Sequence, residues 1–455
     1  MTTSDLSAGS PFKRLLAFAL PMVISVCFQQ FYNLADSLIA GRFVSDFALA
    51  AITAGYPITM IFIAIGVGGG VGCGVVISKF FGQGKYSKVR ATVSTALISV
   101  SVLAAVCTVV GVAVSSSALT LMNTPASTFD DAKSYLDIYI YGLFFLFVYN
   151  ACSSAFQALG NSKTPLYLLV FSSVFNIVLD IVLVTAADMG VKGLAIATLI
   201  AQGISCVLSL FLLFRTLKSM PKDINTEDFS FFSFRLLKAL AAVAVPSIIQ
   251  QSIVSVGQLF VQSLINSCGE YVLAAYGAAF KINMFVIYIF STLSNAIANY
   301  TAQNAGAAKY ENLKKGLKAG FAINISVAAL ACAVCLPLAK IFIGAFLNEE
   351  ANPDIITIGS DFLYIVVPFY FFVAAKISVD GFLKGCGDML GFMLSTFADL
   401  LLRVALSYAL FDAMGGSYLG IWWSWPIGWV IAAGVGVACF LVARWKKLIC
   451  YPASP

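Results

Sequence analysis

The sequence predicts an all-α membrane protein: twelve transmembrane helices in two six-helix lobes related by a pseudo-two-fold axis along the membrane normal. Three observations predict it. The composition is too apolar to dress a water-facing surface. Uncharged stretches long enough to cross a bilayer recur along the chain. The second half repeats short patterns of the first half in the same order.

Of the 455 residues, 60% are hydrophobic and 11% are charged, and the mean hydropathy is +0.94. A soluble domain carries about 25% charged residues, so most of this surface must face lipid. A spanning helix needs about 20 apolar residues. Uncharged stretches of that length cover 15–35, 47–78, 91–129, 138–162, 239–269, 282–308 and 319–339. The first follows Lys13-Arg14 and has no small-residue cleavage pattern after it. It reads as a retained helix rather than a signal peptide.

The helices then follow in order. In the first half they are expected over 13–39, 46–80, 89–120, 131–159, 163–187 and 191–217. In the second half they are expected over 234–266, 270–303, 312–346, 354–384, 388–413 and 417–446. The one long polar connection contains Pro221 and mixed charge. It divides the chain into a lobe over 1–220, a linker over 221–233 and a lobe over 234–455.

The repeat supports this division. Gly82-Gln-Gly-Lys-Tyr86 and Gly306-Ala-Ala-Lys-Tyr310 follow the second helix of each half. Ala48-Leu-Ala-Ala51 and Val272-Leu-Ala-Ala275 open those helices. Gln157-Ala-Leu-Gly160 and Phe382-Leu-Lys-Gly385 close the fourth helices, and Met189-Gly190 and Met414-Gly415 precede the sixth. Pro21 and Pro246 lie near the starts of the first helices. Halves of six spans insert in the same sense, as parallel repeats do. A cleft between them near the midplane is where a small molecule would bind.

Charge sets the orientation, because loops retained in the cytoplasm carry excess Lys and Arg. One side collects Lys13, Arg14, Lys79, Lys85, Lys88, Arg90, Lys163, Arg215, Lys218, Lys222, Arg235, Lys238, Lys309, Lys314, Lys315, Lys318, Lys384, Arg444, Lys446 and Lys447. The other has only Arg42, Lys133, Lys192 and Lys340, among acids that include Asp130, Asp131, Asp188, Glu270, Glu349, Glu350 and Asp354. Both termini are therefore expected in the cytoplasm of a multi-pass cell-membrane protein. The net charge of +6 reflects topology, not a nucleic-acid footprint. The 11 Cys are scattered and there is no His, so neither a disulfide framework nor a metal or nucleophile constellation is expected. The Cys332/Cys335 pair sits in an apolar span and reads as packing.

An ionisable residue at the bilayer centre costs about 2.5–3.5 kcal/mol on insertion scales and is a functional candidate by default. The first half offers Asp36 and Asp180, neither with a basic residue within a turn. Tyr32 lies one turn before Asp36, Asn176 lies one turn before Asp180 on the same face, and Thr198 lies at similar depth. Two carboxylates in a dry pocket cannot both stay charged: one is protonated, or oxygen ligands hold a hard cation such as Na⁺. The opposing reading is a structural lock in which each Asp bonds its neighbours. In the second half, Asp399 and Arg403 are spaced to form a structural ion pair, as are Lys376 and Asp380. Lys281 either shapes a binding cavity or pairs with a distant carboxylate. Pro21 is expected to interrupt the first helix, as a static kink or as a bend coupled to Asp36. The run Gly66-Val-Gly-Gly-Gly-Val-Gly-Cys-Gly74 completes no nucleotide pattern and reads as close helix packing.

These residues resemble the multidrug and toxic compound extrusion (MATE) transporters along nearly the whole chain. The resemblance rests on Gln29-Gln-Phe-Tyr-Asn-Leu-Ala-Asp36, Gln157-Ala-Leu-Gly-Asn-Ser-Lys-Thr-Pro165, Asn176-Ile-Val-Leu-Asp180 and Gln303-Asn-Ala-Gly306. It implies antiport of amphipathic, often cationic drugs or toxins against Na⁺ or H⁺ by alternating access, with no cofactor. The DinF-like branch implies a cation site at Asp36, Asn176, Asp180 and Thr198, with Tyr32, Tyr135, Asn150 and Pro21 around it. The NorM-like branch implies acids in helices 7 and 10. Here helix 7 offers Gln250 and Gln251, and helix 10 offers Lys376, which favours the DinF-like pattern. Gln250, Gln251, Lys281 and Asn283 are candidates for the substrate cleft. The expected partners are small molecules and membrane lipid, and a monomer is expected. The alternatives are a lipid-linked oligosaccharide flippase of the same superfamily and, from another class, a membrane-embedded enzyme.

Overall fold

The computed structural model describes residues 3–39, 44, 46–122, 124–221, 231–347 and 352–442. Arg42, Lys222, Glu349, Glu350, Arg444, Lys446 and Lys447 lie outside the described residues, as does most of the 221–233 linker. The first half forms α1 (Pro11–Ile39), α2 (Asp46–Gly82), α3 (Tyr86–Leu121), α4 (Ala126–Tyr141), α5 (Leu143–Ala158), α6 (Lys163–Ile181) and α7 (Gly190–Ser219). The second half forms α8 (Phe234–Asn266), α9 (Glu270–Gly306), α10 (Tyr310–Cys335), α11 (Ala339–Gly344), α12 (Pro353–Val366), α13 (Tyr370–Cys386), α14 (Met389–Ala413) and α15 (Tyr418–Leu441). Among the described residues, eleven helices, or helix runs, are long and apolar enough to cross a membrane, and twelve if the bent α4–α5 pair is one span. The chain is an all-α membrane protein, as the sequence predicts.

Four expected helices are not single α-helices. The span over 131–159 bends by 45° between α4 and α5. Gly142 sits at the bend, where an added Cβ would meet the Tyr139 carbonyl at 3.1 Å and Leu199 at 3.2 Å. The span over 312–346 stops at Cys335 and resumes as the short α11, because Pro337 supplies no N–H to continue the ladder. Pro368 accompanies a tighter turn at Val367–Phe369 between α12 and α13. The span over 163–187 ends in a π turn at Val182–Ala186. In contrast, α1 runs through Pro21 without interruption. A Pro within a long spanning helix costs one backbone bond without ending the helix, and one turn on the Ser25 hydroxyl donates to the Pro21 carbonyl at 2.8 Å.

The chain forms two compact units whose boundaries fall inside helices rather than at the linker. The first unit holds residues 3–5 and Leu20–Ser252, and the second holds Leu6–Ala19 with the described residues from Ile253 onward. The first turns of α1 therefore pack with the second half of the chain, and most of α8 packs with the first.

In the first unit the glycine run makes the close approach its spacing predicts. A Cβ on Gly68 would lie 2.7 Å from the Ile248 backbone, and one on Gly72 would lie 2.5 Å from the Ala244 backbone. The second unit is built on a ring cluster. Trp422 stacks on Tyr276 at 5.5 Å between centroids, and Phe362 meets Trp425 edge-on at 5.7 Å. The segment just before α1 is docked by side chains of α9, α10 and the turn between them. The Gln303 amide oxygen accepts from the Leu6 N–H at 3.0 Å. The Lys309 ammonium donates to the Ser7 hydroxyl at 2.9 Å, and the Asn312 amide donates to the Ser7 carbonyl at 3.1 Å.

Candidate functional site

Four helices of the first unit bring polar side chains to one place. α1 supplies Tyr32 and Asp36, α4 supplies Tyr135, α6 supplies Asn176 and Asp180, and α7 supplies Thr198. The entry of α6 is fixed by the motif that precedes it. Gly160 has φ +73°, and an added Cβ there would overlap the Ser4 carbonyl oxygen, so only glycine fits. Next, the Asn161 side-chain Oδ1 accepts from the Thr164 N–H at 3.1 Å, and its Nδ2 donates to the Thr164 hydroxyl at 2.9 Å. These two bonds hold the entry of α6, and the spacing of four places Asn176 and Asp180 on one face of it.

Asp180 is completely buried and Asn176 nearly so. The carboxyls of Asp36 and Asp180 lie within hydrogen-bonding reach of each other. The Tyr32 and Thr198 hydroxyls are likewise within reach of each other. Tyr32 and Tyr135 sit close enough to both carboxyls to feel their charge. Yet no N–H or O–H reaches either Asp180 oxygen, Asp36 Oδ1 or the Asn176 Oδ1, and the Asn176 Nδ2 is also unpartnered. Buried polar atoms are otherwise almost always bonded. The set is thus four acceptor oxygens with no donor. Two carboxyls can bond each other only by sharing one proton, and the same oxygens suit a hard monovalent cation. The donor set fits either form of charge compensation.

The π turn follows Asp180 directly, which sequence reasoning did not find. Such single π turns are frequent at functional sites. Gly193 of α7 lies against it, with an added Cβ 3.3 Å from the Leu183 backbone. No hydropathy signal marks this turn, since its residues are as apolar as those before it.

Other candidates lie elsewhere. The Asn150 amide donates to the Leu146 carbonyl at 2.9 Å and sits beside Gly66 of α2, so none of its bonds reaches the carboxyl pair. Gln250 and Gln251 belong to the first unit, whereas Lys281 and Asn283 belong to the second. Asn283 is fully buried and accepts from the Tyr370 hydroxyl at 2.9 Å. Lys281 pairs with no carboxylate among the described residues; its ammonium lies 5.4 Å from the Phe346 ring centre. Asp399 accepts from Arg403 at 2.8 Å, and the guanidinium lies 4.4 Å from the Trp425 ring centre. Among the described residues no group of three or more His, Cys, Asp or Glu could hold a metal ion.

Comparison with known proteins bears on this arrangement. The MatE family model matches residues 21–182 and 246–409. Probable multidrug resistance protein YpnP of Bacillus subtilis is 25% identical over 449 residues, covering 98% of this chain and 99% of that protein. Probable multidrug resistance protein YoeA of the same organism is 24% identical over 437 residues, covering 95% and 94%. Among solved structures, a MOP superfamily transporter from Pyrococcus furiosus superposes with a TM-score of 0.91 at 23% identity, covering 98% of this chain and 99% of that chain.

Proposed function

This chain belongs to the MatE family, and we propose that it is a secondary antiporter that exports small amphipathic compounds in exchange for a cation bound at Asp36 and Asp180. One observation carries the reading: a carboxyl pair in which three buried oxygens, with that of Asn176, have no donor. An uncompensated buried charge of this kind is costly, so the site is completed by something that comes and goes. A proton or Na⁺ from outside neutralises the pair. Its binding changes the surroundings of α1, which carries Asp36 fifteen residues beyond Pro21. The exported compound leaves outward and the cation leaves inward, by alternating access. Thr198 and Tyr32 complete the oxygen shell, and Asn176 supplies its amide oxygen.

The names of the relatives support export of drugs as the task, and the arrangement in the first unit supports the DinF-like pattern. The charge partition supports both termini in the cytoplasm of a cell-membrane protein. The test is dye efflux from proteoliposomes under a Na⁺ gradient and, separately, a pH gradient. Asp36→Asn and Asp180→Asn are each expected to abolish driven efflux while insertion and expression stay normal. Full efflux by both variants would overturn the site.

A further inference from the structure

Three cations are buried among the described residues: Lys376, Lys384 and Arg403. Two have a carboxylate one turn along their own helix. Lys376 meets Asp380 at 2.6 Å, and Arg403 meets Asp399 at 2.8 Å. Lys384 has none within ion-pair distance, although it is only 7% exposed. Its ammonium donates to the Asn295 amide oxygen at 3.2 Å and lies 5.0 Å from the Phe392 ring centre. Asp380, one turn back on α13, is held by Lys376 instead, and Asp388, one turn on, lies beyond Gly387, whose φ of +83° ends α13. The Asp388 carboxylate then caps α14, accepting from the Gly391 N–H at 3.1 Å.

Lys376, Asp380 and Lys384 thus form a string on one face of α13, with two cations to one carboxylate. Removing a charge from water costs several kcal/mol per ion after relaxation, on the order of what a well-placed counter-ion returns. A neutral amide, a ring and a carboxylate already paired with Lys376 do not return that much. The scaffold does not require these charges either. When Phe382-Leu-Lys-Gly385 is laid on Gln157-Ala-Leu-Gly160, Lys376, Asp380 and Lys384 fall on Ala151, Ala155 and Leu159. All three of those are buried apolar residues. The same helix position packs well without charge in the first half.

We propose that Lys384, held by Asn295 and Phe392 and reinforced by Lys376, binds an anionic group. The chemistry is a carboxylate or phosphate monoanion, which would accept charge-assisted hydrogen bonds from the ammonium. It comes from a transported compound or from an anionic lipid headgroup. This site lies in the second unit and does not depend on which cation drives transport.

Direct binding tests it on the purified full-length protein, without reference to efflux. One arm titrates a rhodamine carrying a free carboxylate, and its methyl ester, by fluorescence anisotropy in a neutral detergent. The other arm titrates phosphatidylglycerol micelles against phosphatidylcholine micelles. Lys384→Leu, the residue of the repeat equivalent, should weaken the carboxylate dye or phosphatidylglycerol at least about tenfold and leave the methyl ester and phosphatidylcholine, which lack the extra anionic group, unchanged. Lys384→Arg should retain binding within about threefold. Charge-dependent loss in the dye arm assigns the site to a transported compound, and loss in the lipid arm assigns it to a headgroup. If wild-type protein prefers the anion in neither arm, the proposal is overturned. Equal loss of acid and ester, in both Lys384→Leu and Lys384→Gln, also overturns it, because a merely structural role would act that way.

Discussion

At the scale of single residues, the question is what a lone polar atom inside the membrane is for. The unbonded oxygens of Asp36, Asn176 and Asp180 separate a coupling site from a structural lock by thermodynamics. A lock is strongest when nothing is bound, so removing it always destabilises. A coupling site gains stability only when its cation arrives, by about 2.7 kcal/mol at a hundredfold excess over Kd. Raising Na⁺, or lowering pH if protons are the coupling ion, is therefore expected to raise the wild-type unfolding midpoint. That rise should vanish in Asp180→Asn and in Asn176→Leu, whose cation-free midpoints should not fall. Thermal scans in detergent at two Na⁺ concentrations and two pH values check this. A large cation-independent loss in either variant would restore the lock. Asp36 and Asp180 were legible in the sequence because a charge in an apolar run stands out, and Asn176 because helical spacing puts it above Asp180. Asn150 and Lys281 were harder to place. Sequence shows neither the Leu146 carbonyl that takes up one amide nor the Phe346 ring beneath the other's ammonium.

At the scale of elements, composition located nearly every span but could not see where a span bends. Gly142, Pro337 and Pro368 sit in stretches as apolar as any other, so hydropathy runs through them while the hydrogen-bond ladder does not. The glycine run of α2 was legible because small residues one turn apart leave a flat groove, although the partner in that groove was not. The partner is the first part of α8, and the groove makes a graded prediction. Gly72→Ala places a methyl 2.5 Å from the Ala244 backbone, whereas Gly69→Ala places one where nothing lies within 4 Å. Overpacking of this sort costs about 1–3 kcal/mol, and Ala in an open helix position gains up to about 1 kcal/mol over Gly. Gly72→Ala should lower the unfolding midpoint, and Gly69→Ala should hold or raise it. Parallel melts of the two variants check the pair, and equal midpoints would show that the groove is looser than its geometry.

At the scale of the whole molecule, one scaffold is used twice with different chemistry. The repeat and the charge partition made the scaffold legible. The exchange of helix segments at Ala19 and Ser252 was not, because no linker or composition change marks it. The difference in chemistry yields opposite responses to charge removal. In the first unit the carboxyls face one another without a donor, so neutralising one relieves a cost. In the second unit Asp399 and Arg403 already satisfy each other beside Trp425. Breaking a buried pair by removing one partner costs about 3–5 kcal/mol, because the remaining charge is stranded, whereas replacing both partners with apolar residues is often neutral or stabilising. Asp399→Leu alone should therefore lower the unfolding midpoint sharply, and Asp399→Leu with Arg403→Met should restore most of it. In the same assay Asp36→Asn should hold or raise the cation-free midpoint. If Asp399→Leu proved as mild as Asp36→Asn, the two units would share one electrostatic design. The assignment of coupling to the first unit alone would then lose its physical basis.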